Sequence, residues 1–198
     1  MKEICTFSVY KKTVIYFCMF LSVLFFSKPT YAEVVVHPED LKVFKEIIHD
    51  AGKTLDEFTF INEFEIARIH TGRAVIDLGR RRGTTGVNGL DEIVLVDKKG
   101  KILAFNLDGT QLKTTSQLNQ LKQLWSFGAY GTTIDVLELQ GLPNLKYLDL
   151  SGGRIKHIKT LHNLPSLSFL NLTSADITTL EAVGDLPGIR HADLSGNY

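Results

Sequence analysis

From Leu145 onward the apolar positions fall at Leu145, Leu148, Leu150, Ile155, Ile158, Leu161 and Leu164. The pattern returns 22 residues later at Leu167, Leu170, Leu172, Ile177, Leu180, Val183 and Leu186, and again at Ile189, Ala192 and Leu194. The residues between these positions vary freely, so the spacing marks a repeated structural unit. Leu148 and Leu150 stand at the strand period, which predicts a short strand with Asp149 turned away from the core. Ile158, Leu161 and Leu164 stand three apart with Pro165 next, which predicts a brief 3₁₀ or extended return segment instead of an α-helix. Stacked coils of this kind place their strands side by side in a parallel sheet, about 4.8 Å apart.

The pattern continues upstream. Leu124, Phe127, Ala129, Ile134, Leu137, Leu139 and Leu142 keep the order with one residue deleted. Ile102, Phe105, Leu107, Leu112, Leu118, Leu121 and Leu124 fit the full spacing, with Thr115 out of character. Four full coils and one partial coil are therefore expected between Ile102 and Tyr198. Ahead of them, EIVLVDKKGKILAFNLDG (92–109) reads as two strands around a DKKGK turn. A β-propeller blade is the competing reading, but a propeller needs several blades and one is visible. His37 to Gly52 reads as an amphipathic helix, with Pro at its first turn, early acids and a terminal Gly. It is expected to cover the open end of the first coil. The stretch FTFINEFEIARI (58–69) fits strand or helix, and RAVIDLG (73–79) reads as a strand.

The L-x-x-L-x-L pattern, with an apolar position five residues on, resembles the leucine-rich repeat family. The 22-residue length and the LPxL junction look like the bacterial class found in internalins. The resemblance implies an α/β solenoid: a right-handed coil with parallel concave strands and slim 3₁₀ or extended convex segments, preceded by a helix and a capping hairpin. The family also places Asn three residues after the second strand leucine, where its side chain bonds neighbouring coils. Here that position holds Gly153, Ala175 and, in the last repeat, Asn197. Two coils must satisfy those backbone groups by other means. The wall-sorting LPxTG tail of internalins is absent from the sequence.

The first 32 residues form a separate segment. Lys11 and Lys12 precede an apolar run from Thr13 to Phe26, and SKPTYA ends on Ala32, which predicts a signal peptide and a secreted or periplasmic protein. The run is short of the roughly 20 residues that span a bilayer, so no stable membrane anchor is expected after cleavage. The domains are then 1–32 signal peptide, 33–91 flanking and capping region, and 92–198 repeat domain. Cleavage removes four of 22 basic and one of 22 acidic residues, leaving 22−4=18 against 22−1=21, a net charge of −3. It also removes Cys5 and Cys18, so the mature chain has no disulfide and no thiolate metal site. Nothing in this balance points to nucleic acid, and no cofactor is expected. GRRRGTTGVNG (79–89) lacks the ending of a phosphate loop and reads as a solvated turn. His157 and His162 read as exposed polar positions rather than metal ligands.

The residues before the middle strand leucine form one column, Ala104, Ser126, Tyr147, Phe169 and His191. Those after it form a second, Asn106, Gly128, Asp149, Asn171 and Asp193. Trp125 stands one place before Ser126. Aromatic anchors beside polar groups suit protein recognition, which makes Trp125, Tyr147, Asp149, Phe169, Asn171, His191 and Asp193 the candidate site. The same rings could instead only stabilise the sheet, by about 0.2–1 kcal/mol per pair. The expected function is protein binding through the concave face, with host contact implied by the internalin resemblance. A scaffold without a dedicated ligand is the alternative, and a hydrolase is the last choice because no activated nucleophile accompanies His191 and Asp193. The chain stops inside a coil. A fragment of a longer product is the expected reading, beside a frayed end or an end-to-end contact with a second chain.

Overall fold

The computed structural model describes residues 6–7, 34–62 and 93–198. The segments 8–33 and 63–92, which hold most of the leader, RAVIDLG and the arginine-rich loop, lie outside the described residues. In chain order the strands are β1 (Thr6–Phe7), β2 (Val34–Val35), β3 (Thr59–Asn62), β4 (Ile93–Val96), β5 (Ile102–Asn106) and β6 (Gln111–Thr114). They are followed by β7 (Ser126–Gly128), β8 (Thr133–Gln140), β9 (Tyr147–Asp149), β10 (Arg154–His162), β11 (Phe169–Asn171) and β12 (His191–Asp193). The helix α1 spans Pro38–Asp50. A two-residue antiparallel pairing joins β1 to β2.

Two sheets make the solenoid. The concave sheet has seven strands in the order β12-β11-β9-β7-β5-β4-β3, and the convex one has three, β10-β8-β6. From β5 to β12 each concave strand pairs parallel with the next in the register of the 22-residue pattern, Phe105 beside Phe127 beside Leu148 beside Leu170 beside Ala192. The first four of these side chains are buried, and the Leu150 and Leu172 row lies beside them in the same core. Each fully buried leucine contributes roughly 1.5–3 kcal/mol, and no cysteine stands among the described residues. The described residues 93–198 thus form a parallel-strand solenoid of about four turns, consistent with the coil that the repeat pattern predicts.

At the N-terminal end phenylalanine replaces leucine. Phe44 of α1 meets Phe58, Phe60 and Phe105 edge-on at 5.1, 5.5 and 5.1 Å, and Phe105 meets Phe127 at 5.2 Å. The helix buries Leu41, Val43, Phe44, Ile47 and Ile48 against this end, so the first coil exposes no open core. Its start follows from Pro38 and the acids Glu39 and Asp40, and its stop from Gly52 at φ 71°, where the Gly52 N–H reaches the His49 carbonyl and the Lys53 N–H that of Ile48. Beyond it, Lys53 bonds Glu57 at 2.8 Å. That bond and the Thr54 N–H hold the Glu57 carboxyl below its usual range.

The β4–β5 hairpin forms as its DKKGK turn predicts. Asp97 accepts bonds from the Lys99 and Lys101 N–H groups, and Gly100 takes φ 77°. A Cβ on Gly100 would lie 2.3 Å from the Val35 carbonyl oxygen, so the turn must be glycine to pack under β2. The hairpin is tied to α1 by Asp40, a buried carboxylate that accepts from Lys101 Nζ at 2.9 Å and from the Ile102 N–H at 3.0 Å. Removing it leaves the Ile102 N–H without its acceptor and Lys101 with His37 and the exposed Glu39 alone, so Asp40→Ala is expected to cost about 1–3 kcal/mol in urea unfolding and to speed hydrogen exchange at Ile102. An unchanged exchange rate would show that the helix docks by its apolar face alone. Of the undecided 58–69 stretch, the described part is the strand β3, paired parallel with β4.

The convex side takes both of the forms expected for it, 3₁₀ and extended. Only the first coil carries a 3₁₀ turn there, at Ser116–Gln120; the next two run as the long strands β8 and β10. The spacing of three arises from a register shift between Ile158 and Thr160, which changes the inward phase between Ile155 and Leu161. Lys156 and Lys159 of β10 pair with Asp135 and Glu138 of β8 at 2.7 and 3.0 Å, a cross-strand charge ladder on the outer face. His157 and His162 are exposed on the same strand.

The position of the missing asparagines also resolves. Asn197 accepts from the Ala175 and Ile177 N–H groups and donates to the Leu172 and Leu194 carbonyls. At the equivalent place three coils earlier, Thr132 donates to Leu107 O at 2.7 Å and accepts from the Thr110 N–H. At Gly153 no side chain can enter, because a Cβ would lie 2.1 Å from the Thr132 carbonyl oxygen. There the main chain bonds directly: Arg154 N–H to Thr132 O and Ile155 N–H to Ala175 O.

Candidate functional site on the concave face

Strand register puts the first predicted column in one row, Ala104 beside Ser126, Tyr147, Phe169 and His191. Small residues occupy its N-terminal half, and Trp125 fills the space they leave. Trp125 packs with Ile61, Leu95 and Ala104 in a small apolar cluster on this face. Both Ala104 and Ser126 are consequently buried. Trp125 meets Tyr147 edge-on, with ring centroids 5.9 Å apart at 75°, and Tyr147 meets Phe169 at 6.3 Å and 40°. The three rings are half-buried, and His191 at the end of the row is exposed. The apolar stripe thus extends further than the sequence pattern predicts, reaching Leu95 and Ile61 through the pairing of β5, β4 and β3.

The second column has a different role. Asp149 is buried at 7% exposure, although it points away from the solenoid core. Its carboxylate accepts from the Ser151 N–H at 3.0 Å and the Ser151 hydroxyl at 2.6 Å, and Asn171 Nδ2 donates to it at 3.3 Å. Asn171 accepts from the Thr173 N–H, and Asp193 repeats the Asp149 arrangement with Ser195. These side chains close the turn after each strand, as Asx residues do when a hydroxyl follows two places on. Asn106 lies across Gly128, where a Cβ would come within 2.4 Å of its Oδ1. Of the predicted site, Trp125, Tyr147, Phe169 and His191 present surface to a ligand, while Asp149 is committed to the fold and Asn171 and Asp193 share its turn-closing pattern.

The row one place earlier runs Leu103, Trp125, Lys146, Ser168, Arg190, because the N–H groups of Trp125, Lys146, Ser168 and Arg190 each bond the preceding coil. Lys146 and Arg190 are exposed on either side of Ser168. Their place was legible from the 22-residue spacing alone, which sets 146, 168 and 190 in one column. Among the described residues no group of three or more His, Cys, Asp or Glu side chains could hold a metal. No helix among them is long and apolar enough to cross a membrane.

A leucine rich repeat model matches residues 132–177, the stretch from just before β8 through β11. The parallel-strand coil geometry described above is consistent with a leucine-rich repeat coil over that stretch. Comparison with curated proteins and with solved structures gives no match.

Proposed function

We propose that this chain is a secreted or periplasmic bacterial protein of internalin-like type that binds another protein through the aromatic row of its concave face. The observation that carries the reading is the Trp125–Tyr147–Phe169 ring series, half exposed on adjacent coils and held in place by strand register. Large rings in a solvent-facing row supply rigid contact area at low entropic cost, and such residues dominate binding energy at interfaces. The apolar leader motivates the assignment to export, and the repeat length motivates the suggested contact with a host protein. The protein is read as a binding module rather than a catalyst. The acid beside the rings, Asp149, is spent on the Ser151 turn.

Changing Trp125, Tyr147 and Phe169 together to Ser is expected to weaken partner binding at least tenfold, on the basis that single hot-spot truncations cost about 2 kcal/mol or more. The circular dichroism spectrum should keep its sheet signal, since the inward row is untouched. Full affinity in the triple variant, measured by titration calorimetry, would remove the concave face from consideration. A loss of folding stability without loss of binding would assign the rings to the sheet.

A further inference from the structure

The charges beside the rings define the partner's chemistry. Several cations of the coils have partners: Lys101 pairs with Asp40, Arg154 with Asp176, Lys156 with Asp135 and Lys159 with Glu138, and Lys122 donates to the Gly141 carbonyl, whereas Lys98 and Lys99 of the hairpin turn stand away from the rings. Among the described residues, neither Lys146 nor Arg190 has a carboxylate within ion-pair distance, and both are exposed. They stand one coil on either side of Ser168, so their backbones lie about 10 Å apart across two strand spacings. Ser168 is short, and its hydroxyl is turned back to the Lys146 carbonyl at 3.2 Å. A gap is left between two long cationic side chains, with the Phe169 ring next along the strand and the Tyr147 ring on the adjacent one. The acids of the same face are engaged in their own turns: Asp149 is buried and accepts from Ser151 and Asn171, and Asp193 accepts from Ser195.

We propose that the concave face takes an extended segment of a partner protein in which an Asp or Glu carboxylate seats over Ser168 between Lys146 and Arg190, and a neighbouring apolar or aromatic side chain lies on Tyr147 and Phe169. The inference rests on the reading of the concave face as a protein-binding surface, and adds to it the charge of what binds. Cations without partners at a rim set specificity and encounter rate, and they reject segments of like charge.

The test is selection of a random peptide library displayed on phage against the full chain. The selected peptides are then titrated while following the fluorescence of Trp125, the single tryptophan of the sequence. The expected result is enrichment of Asp or Glu next to aromatic or aliphatic residues, with affinity falling about tenfold in Lys146→Glu with Arg190→Glu and falling with added salt. Lys146→Gln with Arg190→Gln should show a smaller loss in the same direction, and both pairs should keep the native circular dichroism spectrum. Peptides that depend on Tyr147 and Phe169 but are rich in Lys or Arg, or indifferent to charge reversal, would overturn this proposal and leave the concave site standing. Peptides unaffected by Tyr147→Ser with Phe169→Ser would overturn the concave site itself, and the proposal with it.

Discussion

Phe105→Ala is expected to lower the unfolding free energy by about 3–5 kcal/mol, the usual cost of truncating a fully buried phenylalanine. The value should fall at the upper end. Phe105 is the contact through which the helix α1 joins the coils, with Phe44 on one side at 5.1 Å and Phe127 on the other at 5.2 Å. Both neighbours are buried and held by their own elements, so the cavity cannot collapse around the smaller side chain. Equilibrium urea unfolding measures the change. A cost below 1 kcal/mol would mean that the helix is docked by other contacts.

Gly153→Asn is expected to destabilise the chain by about 3 kcal/mol, although it restores the residue that leucine-rich repeats ordinarily carry at this position. In most such coils the asparagine bridges neighbouring turns, as Asn197 does here with four hydrogen bonds. At Gly153 the neighbouring turn is too close. A Cβ would stand 2.1 Å from the Thr132 oxygen and 2.8 Å from its nitrogen, both backbone atoms that cannot swing aside. The preceding coil is one residue short, and its Thr132 already serves the Leu107 carbonyl and the Thr110 N–H. Gly153→Ala should therefore cost nearly as much as Gly153→Asn in urea unfolding, since the clash begins at Cβ. An asparagine variant as stable as the natural chain would show that the coil can widen to admit the bridge.

How much of this was legible in the sequence follows from which interactions are periodic. The inward row and the two outward columns appear correctly because every coil repeats the same local choice, and strand pairing then aligns residues 22 apart. The helix at Pro38–Asp50 was visible for a local reason, its caps and its apolar face. On the convex side the spacing left a 3₁₀ turn and an extended segment both open, because β8 and β10 are defined by pairing with neighbouring coils and the register shift at Ile158 imitates the spacing of a 3₁₀ turn. The turn-closing bonds of the second column also have a signal in the sequence. Asp149-Leu150-Ser151, Asn171-Leu172-Thr173 and Asp193-Leu194-Ser195 all place a hydroxyl two residues after an Asx side chain, the arrangement that closes a turn. Lys146 and Arg190 share a column by the same 22-residue spacing, but that column carries no apolar or aromatic repeat to mark it.

The central claim is that residues one place apart on the concave strands face opposite ways, so that Tyr147 and Phe169 offer a surface while Leu148 and Leu170 build the core. Single cysteines at these four positions, in a chain whose Cys5 and Cys18 are replaced by Ser, would be reacted with iodoacetamide under native conditions. Cysteine at 147 and 169 should react nearly as fast as in the unfolded chain, and cysteine at 148 and 170 should be protected until the protein unfolds. Equal reactivity at all four, or the reverse order, would contradict both the solenoid and the binding face built on it.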